Sequence, residues 1–500
     1  MTLKKLKNPS MPLLDKKDVL RIVILSVALI VGLLLLSDST SPLYPHSLGV
    51  DSSIFSLLGK GLINGKDLYT DLFDHKGPVI FFINAVGHLL GGRIGIFLMQ
   101  CLSGILYTSI LYLIYKTVRA DDVKNKFWDM LFLTVAGLGY FFYTFEGGNL
   151  TEEYSLPLIA LSLYLFVRYT SRAEETADHP PLFAFLYGIC FTILAFIRLN
   201  NAITIGAGVL FIIGHLVYRK RYKNILVNIV FGLLGVLAVA LPLFLYFGIH
   251  SSLNEMIYAT FLHNFQIFEE TGHFSIFSNI KLYAKLFFPF ACCLVLVIVH
   301  LCRRRTITAM DVLLLSVFFA NILVLFIANR FPHYFLIFAP VYCLFLYRYV
   351  YYTKKDVASL LDVLCVLIHV YSLIGDMRSN IKVNYLDDEL STRHHTVMAD
   401  MARIPADERD RVIGYEIEAS DYLRGDIIPC YRYYTLQETW GVTEPQIVLD
   451  LMEWAETERP TWILTKPDMK NEDLLDILEK DYELQFENAY LRFYRVISSD

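Results

Sequence analysis

A chain of 500 residues that is 55% hydrophobic and only 19% charged, with a mean hydropathy of +0.47, lies outside the range of an ordinary soluble domain. Its length leaves room for about ten membrane spans and one further domain of ordinary size. The net charge of -5 offers no basic excess for a nucleic-acid partner, and it hides a division: residues 376–500 hold 27 acids against 14 bases, so the rest is net basic and two compartments are implied.

Lys4, Lys5, Lys7, Lys16, Lys17 and Arg21 precede an apolar run to Leu36. No small-residue cleavage site follows, so the run reads as a first span with its basic flank in the cytoplasm. Residues 37–77 then form a first exterior loop. Within it Asp51 opens a segment whose Ile54, Phe55, Leu58 and Leu62 recur at helical spacing while Ser52, Ser56 and Lys60 take other faces. That pattern predicts an amphipathic juxtamembrane helix on the membrane surface, ended at Asn64-Gly65. A polar tract with Asp67, Asp71, Asp74, His75 and Lys76 leads to Gly77-Pro78.

Residues 78–90 fall short of the ~17 to 25 that a spanning helix needs and are expected to insert only partly, from the outer side. Were they to cross, the basic loop with Lys116, Arg119, Lys124 and Lys126 would face out and every later loop would invert. Spans are therefore expected over 94–115, 127–145, 154–167, 182–197, 202–218, 225–247, 286–301, 312–328, 334–347 and 357–374. The basic loops at Arg168 and Arg172, at Arg219 to Lys223, at Arg303 to Arg305 and at Arg348 to Lys355 then all fall inside.

Residues 376–500 alternate helical and strand patterns: helix 386–403, strand 411–415, helix 445–458, strand 461–465, helix 472–480 and a hairpin over 482–496. The expected fold class is an all-α integral membrane protein of about 11 transmembrane helices, with residues 1–375 as the transmembrane catalytic domain and 376–500 as a small exterior α/β domain. That domain has no nucleotide-binding glycine loop and no nucleophile motif. Seven of the eight cysteines fall in apolar runs and read as small core residues, which leaves Cys430 alone and no disulfide framework.

Charges in hydrocarbon are expensive and tend to be kept for function. Sorted by depth they gather on the outer side: Asp51, His75 and Lys76 from the first loop; Glu146, Glu152 and Glu153 from FEGGNLTEEY; Arg198 from FIRLNN; His263 from TFLHNF; Arg330 and His333 from NRFPHYF. Each has a plain reading too. Asp51 can cap a helix, Lys76 can snorkel, Arg198 and Arg330 can anchor span ends, and His263 and His333 can be satisfied interface histidines.

The acid just outside the first span, the amphipathic segment, GKDLYTD (Gly65 to Asp71) and FDHKGP (Phe73 to Pro78) together resemble the first exterior loop of GT-C membrane glycosyltransferases. Within them the resemblance is to the branch containing protein O-mannosyltransferases and lipid A aminoarabinose transferases. That loop typically ends in Lys-Pro-Pro, where this chain has Lys76-Gly77-Pro78. The likeness covers the loop well, the spans in outline and the C-terminal part loosely.

It implies that Asp51 is the first-loop acid, a base or metal ligand; that Lys76 is the lysine of the Lys-Pro-Pro phrase; and that Glu153, in EYSLP, is a second-loop acid. Relatives often have Asp there, and the adjacent Glu152 leaves the alignment open by one residue. Some relatives hold a divalent metal between these acids, which makes Asp51, Glu153, Glu152 and His263 the metal-ligand candidates, for Mg²⁺ or Mn²⁺.

A lipid-linked sugar suits outer-side charges, because the donor phosphate lies among headgroups while its isoprenoid tail stays in lipid. Lys76, Arg198 and Arg330, with His75 and His333, are the donor-phosphate candidates, since negative charge grows on the leaving phosphate as the anomeric bond breaks. Asp51 would take the acceptor hydroxyl's proton, and one in-line displacement would invert the anomeric centre. The expectation is an inverting glycosyltransferase of the plasma (inner) membrane, moving a sugar from a polyprenyl-phosphate donor to a lipid, glycan or protein acceptor at the outer face.

Two other classes stay open. A flippase or other transporter of lipid-linked sugars would need charges along a path near the midplane. A noncatalytic receptor sensing through its exterior domain would not need the acidic first loop.

Overall fold

A computed structural model describes residues 14–119, 126–171, 178–265, 280–304, 307–327, 331–349 and 357–497. Helix α1 (Lys16–Leu36) starts at a capping box in which the Asp15 and Asp18 side chains bond each other's backbone N–H. Helices α2 (Val50–Ile63) and α3 (Pro78–Leu89) come next, and α4 (Arg93–Val118), α5 (Lys126–Tyr143), α6 (Thr151–Thr170), α7 (Pro181–Ala195), α8 (Ile203–Tyr218) and α9 (Tyr222–Ile249) follow. After a short α10 (Leu253–Ile257) come α11 (Ile280–Arg304), α12 (Ala309–Ile327), α13 (Ala339–Tyr349) and α14 (Val357–Ile381).

Among the described residues, helices over Lys16–Leu36, Arg93–Val118, Leu199–Tyr218 and Tyr222–Ile249 are long and apolar enough to cross a membrane. Leu226, Leu233, Leu237, Leu241 and Leu245 of α9 point out of the protein, an apolar stripe that water would not tolerate and lipid does. The chain is a helical membrane protein.

The C-terminal part is built on a four-stranded sheet of order β1-β2-β4-β3, with β1 (Val412–Tyr415), β2 (Trp462–Thr465), β3 (Tyr482–Glu487) and β4 (Arg492–Val496). β1 runs parallel to β2, and the other pairs are antiparallel. VIGY and WILT are buried at every position, as strands covered on both faces must be. Around them lie α15 (Asp388–Met401), α16 (Ala419–Gly425), α17 (Gln437–Thr443), α18 (Gln446–Glu458) and α19 (Glu472–Asp481).

The first loop is not a surface appendage. Helix α2 (Val50–Ile63) is buried at nine positions from Ser52 to Gly61 and packs against α3 (Pro78–Leu89) and α16, so protein covers more of it than its apolar stripe alone. Its serines and glycines are contact residues. A Cβ at Gly59 would stand 2.7 Å from the Asn84 and Ala85 backbone, while Ser52 takes a hydrogen bond from the Asn149 amide and Ser56 meets His88.

Ile54, Phe55, Leu58, Leu72, Phe73 and Phe81 join the same apolar core as Val412, Trp462 and Phe493, separate from the core among the spans. The Phe73 N–H donates to the Arg432 carbonyl at 2.9 Å, and Lys60 pairs with Asp426 at 2.5 Å. Loop and sheet therefore fold as one body at one end of the bundle.

Candidate active site

Lys76 is placed by backbone bonds on both sides. The Tyr69 hydroxyl donates to its carbonyl at 2.9 Å, and the Asp74 carboxylate accepts from its N–H at 2.8 Å. Immediately after it, the Gly77 N–H bonds the Ile197 carbonyl and the Val79 N–H the Phe196 carbonyl, both at 3.1 Å. These bonds hold the segment beside the one that presents Arg198. Gly77 has no alternative here: a Cβ would sit 2.1 Å from the Phe196 oxygen, and proline would also lack the N–H. The departure from Lys-Pro-Pro thus has a local steric cause.

Lys76 is 7% exposed, and its ammonium makes few contacts. It donates to His75 Nε2 at 2.7 Å and lies 5.9 Å from the centre of the Phe55 ring, and no carboxylate among the described residues forms an ion pair with it. Burial holds His75 well below its ordinary pKa, with Lys76, Arg198 and His263 adding to the effect, so the ring is neutral and its Nε2 accepts. Burial likewise raises the Asp74 carboxyl, against the pull of Lys76.

Arg198 reaches the same place from the end of α7. Its guanidinium bonds Glu152 at 3.0 Å and stacks 3.9 Å from the centre of the Tyr334 ring. Asp51 stands in the first turn of α2, half-buried; the cap is Gly49, so the capping role considered for Asp51 is not the one it takes. Its charge acts on both Asp74 and Arg198. Asp51, Asp74, Lys76 and Arg198 therefore form one electrostatic group.

A second layer comes from residues 258–265 and the sheet-bearing part. A wide helical turn over Tyr258–Leu262 brings Tyr258 and His263 together on Glu444, with His263 Nδ1 2.9 Å from the carboxylate. His263 is held down to about 4, first by burial and then by Lys76. Trp440 packs edge-on to His75 at 5.1 Å and to Phe73 at 5.9 Å between ring centres.

The remaining expected residues divide. Glu153 turns away, accepting from the Gln100 amide and the Asn149 N–H at 2.9 Å each. Glu152 serves Arg198. His333 pairs with Glu146 beside Tyr334, one residue from the Arg198 stack. Arg330 lies outside the described residues. The set Asp51, Glu152, Glu153 and His263 is thus not gathered on one point, and no group of three metal-ligating side chains is set for an ion among the described residues; the four do not fit a metal as arranged. Asp74, Glu444, Trp440 and Tyr334 are the members that sequence reasoning did not assign to the site.

The fold as a whole superposes on the crystal structure of ArnT from Cupriavidus metallidurans in the apo state, with a TM-score of 0.60 at 12% identity, over 97% of this chain and 99% of that one. The chain has a GT-C-like fold. The family model for the competence-induced protein Ccs4 N-terminal domain matches residues 9–360, and the chain belongs to that family. No curated protein matches it.

Proposed function

We propose that the protein is an inverting membrane glycosyltransferase that takes a sugar from a polyprenyl-phosphate donor and passes it to a lipid, glycan or protein acceptor at the outer face. One observation carries this reading: a buried lysine, Lys76, forms no ion pair with a carboxylate among the described residues and lies on the segment hydrogen-bonded to the Phe196–Ile197 backbone that leads to Arg198. A buried charge without a directly paired carboxylate is costly and is kept where a ligand supplies the other half. A donor phosphate is such a ligand, and it gains charge as the bond to the sugar breaks.

In this reading Lys76 and Arg198 hold the phosphate. Arg198 is oriented by Glu152 and Tyr334, and Asp51 accepts the proton of the attacking hydroxyl. The His263–Glu444 pair, with the His263 ring 6.2 Å from that of His75 between centres, contributes to the acceptor position in the same reading. The GT-C-like fold supports the class, and about 11 spans with residues 376–500 outside is the topology that goes with it.

The test is release of polyprenyl phosphate from a panel of polyprenyl-phosphate sugars by the purified protein, with Asp51→Asn alongside and with and without EDTA. Release that Asp51→Asn abolishes supports the reaction and identifies the donor, and loss of release in EDTA would add a divalent metal. No release from any donor, even with crude membrane acceptors, overturns the reading.

A further inference from the structure

Helices α7, α8 and α9 border an apolar cleft of about 400 Å³, open where Leu210 and Leu233 stand exposed, a volume within the ~300–1,000 Å³ typical of small-molecule sites. Tyr187, Phe191, Val209, Ile213, Leu233 and Val236 are among its walls. Two helices meet tightly and the third stands off. A Cβ at Gly188 would lie 2.1 Å from the Gly232 carbonyl, so α7 and α9 touch backbone to backbone, whereas one at Gly206 of α8 would meet nothing within 4 Å. Gly206 is a wall of the cleft, and the space in front of it is open.

The cleft ends at polar and charged groups. His179 and Asn228 border it, with His179 Nδ1 2.7 Å from the Asn228 side-chain oxygen and the Asn224 and Asn228 amides bonded to the His179 carbonyl. Leu216 and Ile225 line the same end, and the turn between them carries Arg219, Lys220, Arg221 and Lys223, all exposed. Asp178 is an acid at this mouth and pairs with Arg221 at 3.7 Å. This is the start of α7, ~22 Å along a helix of this length from the end that presents Arg198.

We propose that this cleft is a binding site for an anionic glycerophospholipid, one acyl chain lying between α7, α8 and α9 and the phosphate headgroup on the 219–223 cations. The chemistry is complementary at both ends. The walls offer a lipid tail almost nothing polar, and four cations within five residues at the mouth of a membrane cleft draw a negative headgroup and gain much less from a zwitterionic one. The site is remote from the Asp51 group and does not depend on the transferase reading.

The experiment uses the full-length protein in detergent, titrated with phosphatidylglycerol or phosphatidylcholine of the same acyl chains and read by native mass spectrometry. Free glycerol phosphate serves as a headgroup-only competitor. Wild type is expected to retain phosphatidylglycerol at least about tenfold better than phosphatidylcholine, and glycerol phosphate is expected not to displace it. Replacing Arg219, Lys220, Arg221 and Lys223 by Gln should remove that preference. Gly206→Leu fills open space on a helix that favours Leu over Gly, and it should weaken both lipids while leaving a monodisperse, cooperatively unfolding protein.

Equal retention of the two lipids by wild type would overturn the proposal, and so would displacement by glycerol phosphate alone. Undiminished binding to a well-folded Gly206→Leu protein would exclude the cleft as the place of the tail.

Discussion

Lys76→Met separates a lysine kept for chemistry from one kept for structure. The residue is 7% exposed, and the contacts of its ammonium are His75 Nε2 at 2.7 Å and the Phe55 ring at 5.9 Å. A hydrogen bond from a charged donor contributes about 1.5–3 kcal/mol and a cation–π contact at most about 2 kcal/mol, while removing the ion from water costs several. These terms nearly cancel. Met keeps the length and removes the desolvation cost, at the expense of an acceptor on His75 left without its donor, worth about 1–3 kcal/mol. Thermal unfolding in detergent should therefore show stability between a loss of about 1 and a gain of about 2 kcal/mol. Donor turnover should behave differently. Losing a group that meets developing charge typically lowers kcat by about 10²–10³-fold, read as polyprenyl phosphate released per unit time. A stability loss above about 3 kcal/mol, with turnover within a few-fold of wild type, would show that Lys76 is structural and refute the reasoning.

Gly77→Ala should destabilise the loop, because its Cβ would fall 2.1 Å from the Phe196 oxygen. Gly77→Pro should be worse by about 1 kcal/mol or more, having also lost the bond to Ile197; denaturant melts of the two variants give the difference. Arg198→Ala leaves Glu152, 1% exposed, without its cation, and should cost about 3–5 kcal/mol in the same melts. The pH dependence follows from His75 and His263, whose folded pKa values are depressed, His263 to about 4. The unfolded chain takes up their protons first, so stability is full above about pH 6.5 and declines as pH falls toward 4. His263→Gln should flatten part of that decline in melts taken across the range.

The helices over Lys16–Leu36, Arg93–Val118, Leu199–Tyr218 and Tyr222–Ile249 were legible because a long apolar run has few solutions other than a membrane-crossing helix. The sheet was legible from short apolar runs such as VIGY and WILT between turn residues. The seven-residue helices α16 and α17 were not, since elements that short form only when tertiary packing holds them.

The extent of burial of helix α2 was not legible for a related reason: Ser52, Ser56 and Gly59 count as polar or neutral in a periodicity argument, yet small residues are what a close helix contact needs. Asp51, Lys76 and Arg198 stood out as charges beside hydrocarbon. Glu444 could not, because its contact with His263 spans 181 residues and exists only once the sheet docks on the first loop.

Gly77 joins the two kinds of information. In the sequence it is a departure from Lys-Pro-Pro. In the structure it is the residue that lets the Lys76 segment lie against the Phe196–Ile197 backbone, with its N–H donating where proline has none. The neighbourhood of Lys76 and Arg198 is thus specified by two backbone hydrogen bonds and the absence of one Cβ. Changing a residue that carries no charge should therefore disturb the cation pair as surely as changing either cation.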